Sequence, residues 1–154
     1  MNIEFINPFI NATMSVLETM CMLPSTPGTP YVKKDNKAIG DVSGILGLAG
    51  EQTGSFAVSF SESCILRAVS NMLGEEITTL NKDVEDAVGE ITNMISGGAR
   101  RELGENGFHF EMALPTVVIG KNHSISHIGR GETVVIPFST DAGPYVVEVS
   151  FSNT

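Results

Sequence analysis

An α+β domain, with its helices packed on one face of a mostly antiparallel sheet, is what this chain predicts, and three observations point there. An amphipathic helix opens the chain, two further helices stand together in its middle, and its second half is a series of short β-rich runs joined by turns. A hairpin between the first helix and the central pair completes the order.

Asn7-Pro8 predicts the first helix start, a capping side chain followed by proline at the first helical position. Phe9, Ile10, Thr13, Met14, Leu17, Met20 and Cys21 form its inner stripe, and Pro24 ends it. Pro24 to Asn36 reads as a loop with three prolines and one glycine. A glycine-studded strand is expected at about 38–49, then a turn over Gly50-Glu51-Gln52-Thr53-Gly54 and a partner strand from Ser55 to Phe60. Phe56, Val58 and Phe60 alternate onto one face of that strand. Ser61 caps a second helix with the stripe Ile65, Leu66, Val69, Met72, Leu73, stopped by Gly74.

Asn81 caps a long third helix with Asp83 and Glu85 in its first turn. Its apolar stripe is Val84, Val88, Ile91, Ile95, Ala99, Leu103. Arg100 and Arg101 are expected in its last turn with Gly104 just beyond, as the macrodipole favours. Strands are then expected at Phe108 to Ala113, Thr116 to Gly120, Thr133 to Thr140 and Pro144 to Ser152. In the last of these Tyr145, Val147, Val149 and Phe151 alternate, and Asp141-Ala142-Gly143 forms the hairpin turn before it.

At 154 residues, 42% hydrophobic and 18% charged, the sequence fits one globular domain spanning residues 1–154. No apolar run reaches the roughly 18 residues that cross a bilayer. The first basic residue is Lys33, which does not suit a signal peptide, so a cytoplasmic setting is expected. Cys21 and Cys64 fall in helical apolar patterns and read as buried thiols. Nine basic against eighteen acidic residues leave a net charge of −9, which disfavours nucleic acid as a partner.

The candidate chemistry lies on the third helix. Glu90 and Asn93 stand three apart, so a carboxylate and a carboxamide project side by side. With Asp86, Gly97 and Arg100 they fall off the apolar stripe, toward solvent. The carboxylate can hold a partner's cation and the amide can orient water without itself taking a proton. Asp86, Gly97 and Arg100 flank the pair as candidate docking positions. Gly97 and Gly98 are costly mid-helix, about 0.8–1.0 kcal/mol each against alanine, which suits close backbone approach by a neighbour or a partner. Docking is assigned to Gly97 and packing to Gly98. Other candidates are weaker. His123 and His127 stand four apart in a glycine-bearing loop from Lys121 to Glu132, without a carboxylate or cysteine at ligand spacing, so no metal site is expected there. His109 reads as a surface residue on a strand. Gly47 to Gly54 lacks the lysine of a phosphate-cradling loop, and no serine elbow or activated cysteine is present.

The run Asp86…Gly89-Glu90-Ile91-x-Asn93-Met94-Ile95-x-Gly97 resembles the signature helix of the CheX chemotaxis phosphatases, within the CheC/CheX/FliY group. The opening Asn7-Pro8-Phe9-Ile10-Asn11-Ala12-Thr13 resembles that family's first helix, and the likeness in length and element order covers the chain. The resemblance implies a CheC-like domain that dephosphorylates the aspartyl phosphate of a CheY-like response regulator. Asn93 would hold the attacking water, and Glu90 would pair with the regulator's active-site lysine. It implies Mg²⁺ on the regulator and no cofactor held by this chain. It also implies a homodimer, since open strand edges invite pairing. In two-site relatives the first helix carries a second pair. Here Pro8 stands where the acidic residue would be, which implies one active helix and a structural Asn11. The competing expectation is a non-catalytic module that binds a receiver domain, as in flagellar-switch proteins of the same fold.

Overall fold

The computed structural model describes residues 3–50, 52–125, 127 and 131–152. Helix α1 (Ile3–Cys21) leads to two very short strands, β1 (Thr26–Pro27) and β2 (Tyr31–Val32). The hairpin β3 (Val42–Gly50) and β4 (Gly54–Phe60) comes next, then α2 (Glu62–Leu73) and α3 (Lys82–Glu105). Strands β5 (Phe110–Met112), β6 (Thr116–Ile119), β7 (Thr133–Ser139) and β8 (Tyr145–Phe151) complete the fold. Every strand pairing is antiparallel, and the sheet runs β1-β7-β8-β4-β3-β5, with β2 also on β7 and β6 also on β3. The α+β architecture expected from the sequence is the one observed. Among the described residues no helix is long and apolar enough to cross a membrane.

Helix α3 is the keel of the domain. All six residues of its predicted stripe, Val84 to Leu103, are 0% exposed. Burial of each of the five larger side chains, all but Ala99, contributes roughly 1.5–3 kcal/mol relative to exposure, before cavity and entropy terms. Asn81 caps the helix as expected, its side chain accepting from the Val84 amide at 3.1 Å. Ser61 and the left-handed Gly74 bound α2, also as expected. Two close approaches lock α3 in place. A β-carbon on Gly44 of β3 would sit 1.9 Å from Thr92 Oγ1, and one on Gly98 would sit 3.2 Å from the Ala12 side chain of α1. At Gly44 a side chain would collide with Thr92, whereas at Gly98 a methyl would fit only if Ala12 gave way by a few tenths of an ångström.

Several boundaries differ from the sequence reading. Helix α1 begins at Ile3, with Pro8 inside it. Proline withholds one helical hydrogen bond, but Phe5 and Ile6 are buried, and Phe5 packs edge-on against Phe108 and Phe110. That packing extends the helix upstream. At the other end Met22 turns left-handed, and the Leu23 amide donates to the Leu17 carbonyl at 3.0 Å. Met20 and Leu73, placed on inner stripes from their spacing, are each 46% exposed. The stretch 24–36, read as a loop, contributes β1 and β2. The first hairpin strand starts at Val42, and the strand expected from Phe108 is confined to Phe110–Met112. Helix α3 runs on to Glu105, so Arg100 and Arg101 are not in its last turn and Gly104 lies within it. Buried Leu103 holds that extra turn against the core. Glu51 of the predicted turn and Gly129 of the predicted loop lie outside the described residues.

The largest difference concerns the far side of the sheet. Tyr145, Val147, Val149 and Phe151 do face the helices, yet all seven residues of β8 are buried. The segments around Lys33 to Ala38 and Gly120 to Ile125 cross that side, joined by the Ala38 amide to the His123 carbonyl and the Ile125 amide to the Asn36 carbonyl. Under them lies a polar layer. Lys33 Nζ reaches both oxygens of Glu148 at 3.0 and 2.9 Å, and His127 Nε2 meets Glu148 Oε1 at 2.9 Å. The other His127 ring nitrogen bonds Ser55 Oγ at 2.5 Å, and His123 Nε2 bonds Ser43 Oγ at 2.7 Å. Glu148 is fully buried, a setting a carboxylate tolerates only when paired.

Candidate functional site

Asp86, Glu90, Asn93, Gly97 and Arg100 are all exposed, on the side of α3 away from its buried stripe. The spacing of three between Glu90 and Asn93 makes them neighbours, with about 5–6 Å between β-carbons. Between them, Ile91 and Thr92 are buried, and Thr92 Oγ1 donates to the Val88 carbonyl at 2.7 Å while seated against Gly44. The backbone that carries the pair is therefore held by the sheet, although both side chains stand in solvent. No described residue gives the Glu90 or Asn93 side chain a hydrogen bond or an ion pair.

The flanking residues divide. Asp86 is in an exposed ion pair with Lys82, Nζ to Oδ1 3.2 Å, and this neighbour raises the Lys82 pKa. Arg100 reaches Glu111 at 3.2 Å, again at the surface. Exposed pairs of this sort contribute little, about 0–1 kcal/mol, and open readily to a partner. Gly97 has open space where a β-carbon would stand, whereas Gly98 meets Ala12. The first of the two glycines leaves the face of α3 flat, and the second brings α1 close.

Beside Glu90 the C-terminal ends of α1 and α2 meet the N-terminal half of α3 at a cleft of about 250 Å³. Met20 of α1, Met72 and Leu73 of α2, and Met94 of α3 line it, with Asp86 and Glu90 at its rim. The sequence pattern assigned Met20, Met72 and Leu73 to the core. The available signal was their position at the last turn of each helix, where a stripe can run past the edge of its neighbour.

Asn11 of α1 donates to both carboxylate oxygens of Glu102 at 3.2 and 3.3 Å, a tie between α1 and α3, and the adjacent Pro8 is buried. Cys21 and Cys64 are free and buried, and burial pushes their thiols up to about 12 and about 11, which leaves both poor nucleophiles. His123 and His127 do lie on a surface-crossing loop, but each is committed to a serine of the sheet, and the carboxylate absent from their sequence neighbourhood is supplied by Glu148. Among the described residues no group of three potential metal ligands forms.

What this face of α3 presents to solvent is a carboxylate and a carboxamide side by side, Glu90 and Asn93. The architecture places the chain in the CheC-like class: a CheC-like superfamily protein from Shewanella sp. PV-4 is 44% identical, with a TM-score of 0.93 over 99% of this chain and 100% of that one. The model of the family "Chemotaxis phosphatase CheX" matches residues 42–139, and the chain belongs to that family of hydrolases. The CheY-P phosphatase CheX of Thermotoga maritima is 27% identical over 130 residues, 84% of each chain. The CheX in a CheX–CheY–BeF₃–Mg²⁺ complex from Borrelia burgdorferi is 29% identical, with a TM-score of 0.83 over 99% of this chain and 100% of that one.

Proposed function

We propose that this protein hydrolyses the aspartyl phosphate of a CheY-like response regulator, with Asn93 holding the attacking water and Glu90 anchoring the regulator's active-site lysine. The observation that carries this reading is the pair itself, without partners among the described residues and displayed on a helix whose backbone is locked against β3. In phosphoryl transfer there is little covalent chemistry for a protein to perform, and catalysis is positioning plus electrostatics. The Asn93 amide oxygen accepts from the water and its NH₂ donates, which aligns the water with phosphorus. As the water oxygen bonds to phosphorus, the bond to the aspartyl oxygen breaks, giving inorganic phosphate and the free carboxylate. Glu90 supplies a charge-assisted hydrogen bond to the lysine ammonium. The Mg²⁺ belongs to the regulator, and this chain contributes no cofactor.

The test is phosphate release from a labelled receiver domain at substoichiometric protein. Asn93→Ala removes the amide and keeps the anchor, so turnover falls about a hundredfold or more, roughly 2.7 kcal/mol of barrier, while the variant still binds phosphorylated receiver. Wild-type turnover by Asn93→Ala would overturn the mechanism. Binding without turnover by the unmodified protein would favour the non-catalytic module.

The same reading makes the protein a single cytoplasmic domain that works as a homodimer. Strand β6 pairs only with β3 among the described residues, and Leu114 beside it is 85% exposed, so an open β-branched edge is available to a second copy. A two-fold contact of that kind would bury roughly 1,200 Å² or more in total. Light scattering that returned only the 16.4 kDa monomer at micromolar concentration would refute it.

A further inference from the structure

We propose that the methionine-lined cleft beside Glu90 is a recognition pocket for the receiver domain, taking an apolar side chain that the receiver presents next to the lysine bound by Glu90. This rests on the function proposed above and adds to it the determinant of which receiver is accepted.

Three features carry the inference. The cleft and the anchor are continuous, because Glu90 is itself one of the cleft's lining residues. A lysine drawn to Glu90 therefore brings its neighbouring surface over Met20, Leu73 and Met94. The lining is also apolar where solvent should favour polar groups: Met20 and Leu73 are each 46% exposed on the helical side of the domain, next to the partly buried Met72 and Met94. Exposed apolar patches with a polar rim mark protein contact surfaces, and methionines reshape to fit what they receive. The volume of about 250 Å³ is below the roughly 300–1,000 Å³ of small-molecule sites, and suits one or two protein side chains.

Charge selects the occupant. Asp86 and Glu90 stand at the rim, and the net charge of this chain is −9. An apolar side chain flanked by acidic residues is repelled, whereas one flanked by a lysine is drawn in. Asp86 already holds Lys82 in an exposed pair, which a receiver cation can displace at small cost. Specificity then has two parts, an attractive apolar seat and a carboxylate rim that rejects acidic surfaces.

The test uses a CheY-type receiver domain kept phosphorylated by acetyl phosphate for turnover, and its beryllofluoride form for affinity. Leu73→Asp raises KM and Kd about tenfold or more and leaves kcat at saturation within about twofold, the signature of lost uniform binding. Leu73→Ser moves both constants the same way by less, and Leu73→Met returns them to near the wild-type values; these two variants keep the test valid should Leu73→Asp fold poorly. Unchanged KM and Kd in Leu73→Asp and Leu73→Ser, with Asn93→Ala still inactive, would overturn the pocket and leave the phosphatase reading standing. Absence of turnover in the wild-type protein, with receiver affinity that still depends on Leu73, would overturn the phosphatase reading and leave the pocket standing.

Discussion

Glu90 and Glu148 carry the same side chain in opposite settings. Glu90 stands on the exposed face of α3 with no partner among the described residues, while Glu148 lies at 0% exposure in the middle of β8 between Lys33 and His127. In the interior a carboxylate survives only with its charge matched and its oxygens bonded, so everything around Glu148 is committed to keeping it there. At the surface water does that work, and the carboxylate is free to exchange water for a partner. The same contrast separates His127, held between Ser55 and Glu148, from Asn93, whose side chain no described residue holds. On one side of the sheet polar side chains hold covering loops in place, and on the other they stand in solvent.

Removing each carboxylate in turn is the most direct way to break this comparison. Glu148→Ala leaves Lys33 in a buried position without its counter-charge and is expected to cost about 3–5 kcal/mol, read from a denaturation midpoint. A loss under about 1 kcal/mol would mean that the layer beneath the loops is solvated and that the contrast is false. The adjacent glycines sharpen the same point within α3. Gly98→Leu drives a side chain into Ala12 and is expected to cost about 1–3 kcal/mol of stability. Gly97→Leu, with open space around it, is expected to leave stability within about 0.5 kcal/mol and to weaken receiver binding instead. Equal destabilisation by the two would assign Gly97 to the fold. The smallest structural effect is expected of Glu90→Ala: a midpoint within about 0.5 kcal/mol of the unmodified protein. Its affinity for phosphorylated receiver should nevertheless fall by about 1–3 kcal/mol. Calorimetry on that one variant checks both halves, and an unaltered affinity would remove the anchor from the mechanism.

The signature helix was legible because it is long. Over six turns the 3.6-residue period separates Val84, Val88, Ile91, Ile95, Ala99 and Leu103 from Glu90 and Asn93 without ambiguity, and Asn81 and Asp83 mark where it begins. The alternation in β4 and β8 was equally plain, and with it the helix-facing side of the sheet. Local rules were weaker at the ends. Pro8 is a good first helical residue, and nothing local says that Phe5 will find Phe108 and Phe110 to pack against. Gly104 is a good stop signal, and nothing local says that Leu103 will be buried deeply enough to carry the helix past it.

By itself, then, the sequence determined the α+β class, the three helices with both caps of α2 and the N-cap of α3, and the face of α3 on which Glu90 and Asn93 stand. Those features depend on residues a few positions apart, where period and capping chemistry act directly. The tertiary structure alone decided the closed far side of the sheet, where Lys33 meets Glu148 across 115 positions of chain. It alone decided that Gly44 would receive Thr92, and that Met20, Leu73 and Met94, from three different helices, would surround one cleft beside Glu90. Each of those contacts joins segments with no local coupling, and the energy that forms them comes from burial and charge pairing, which exist only once the chain has closed on itself.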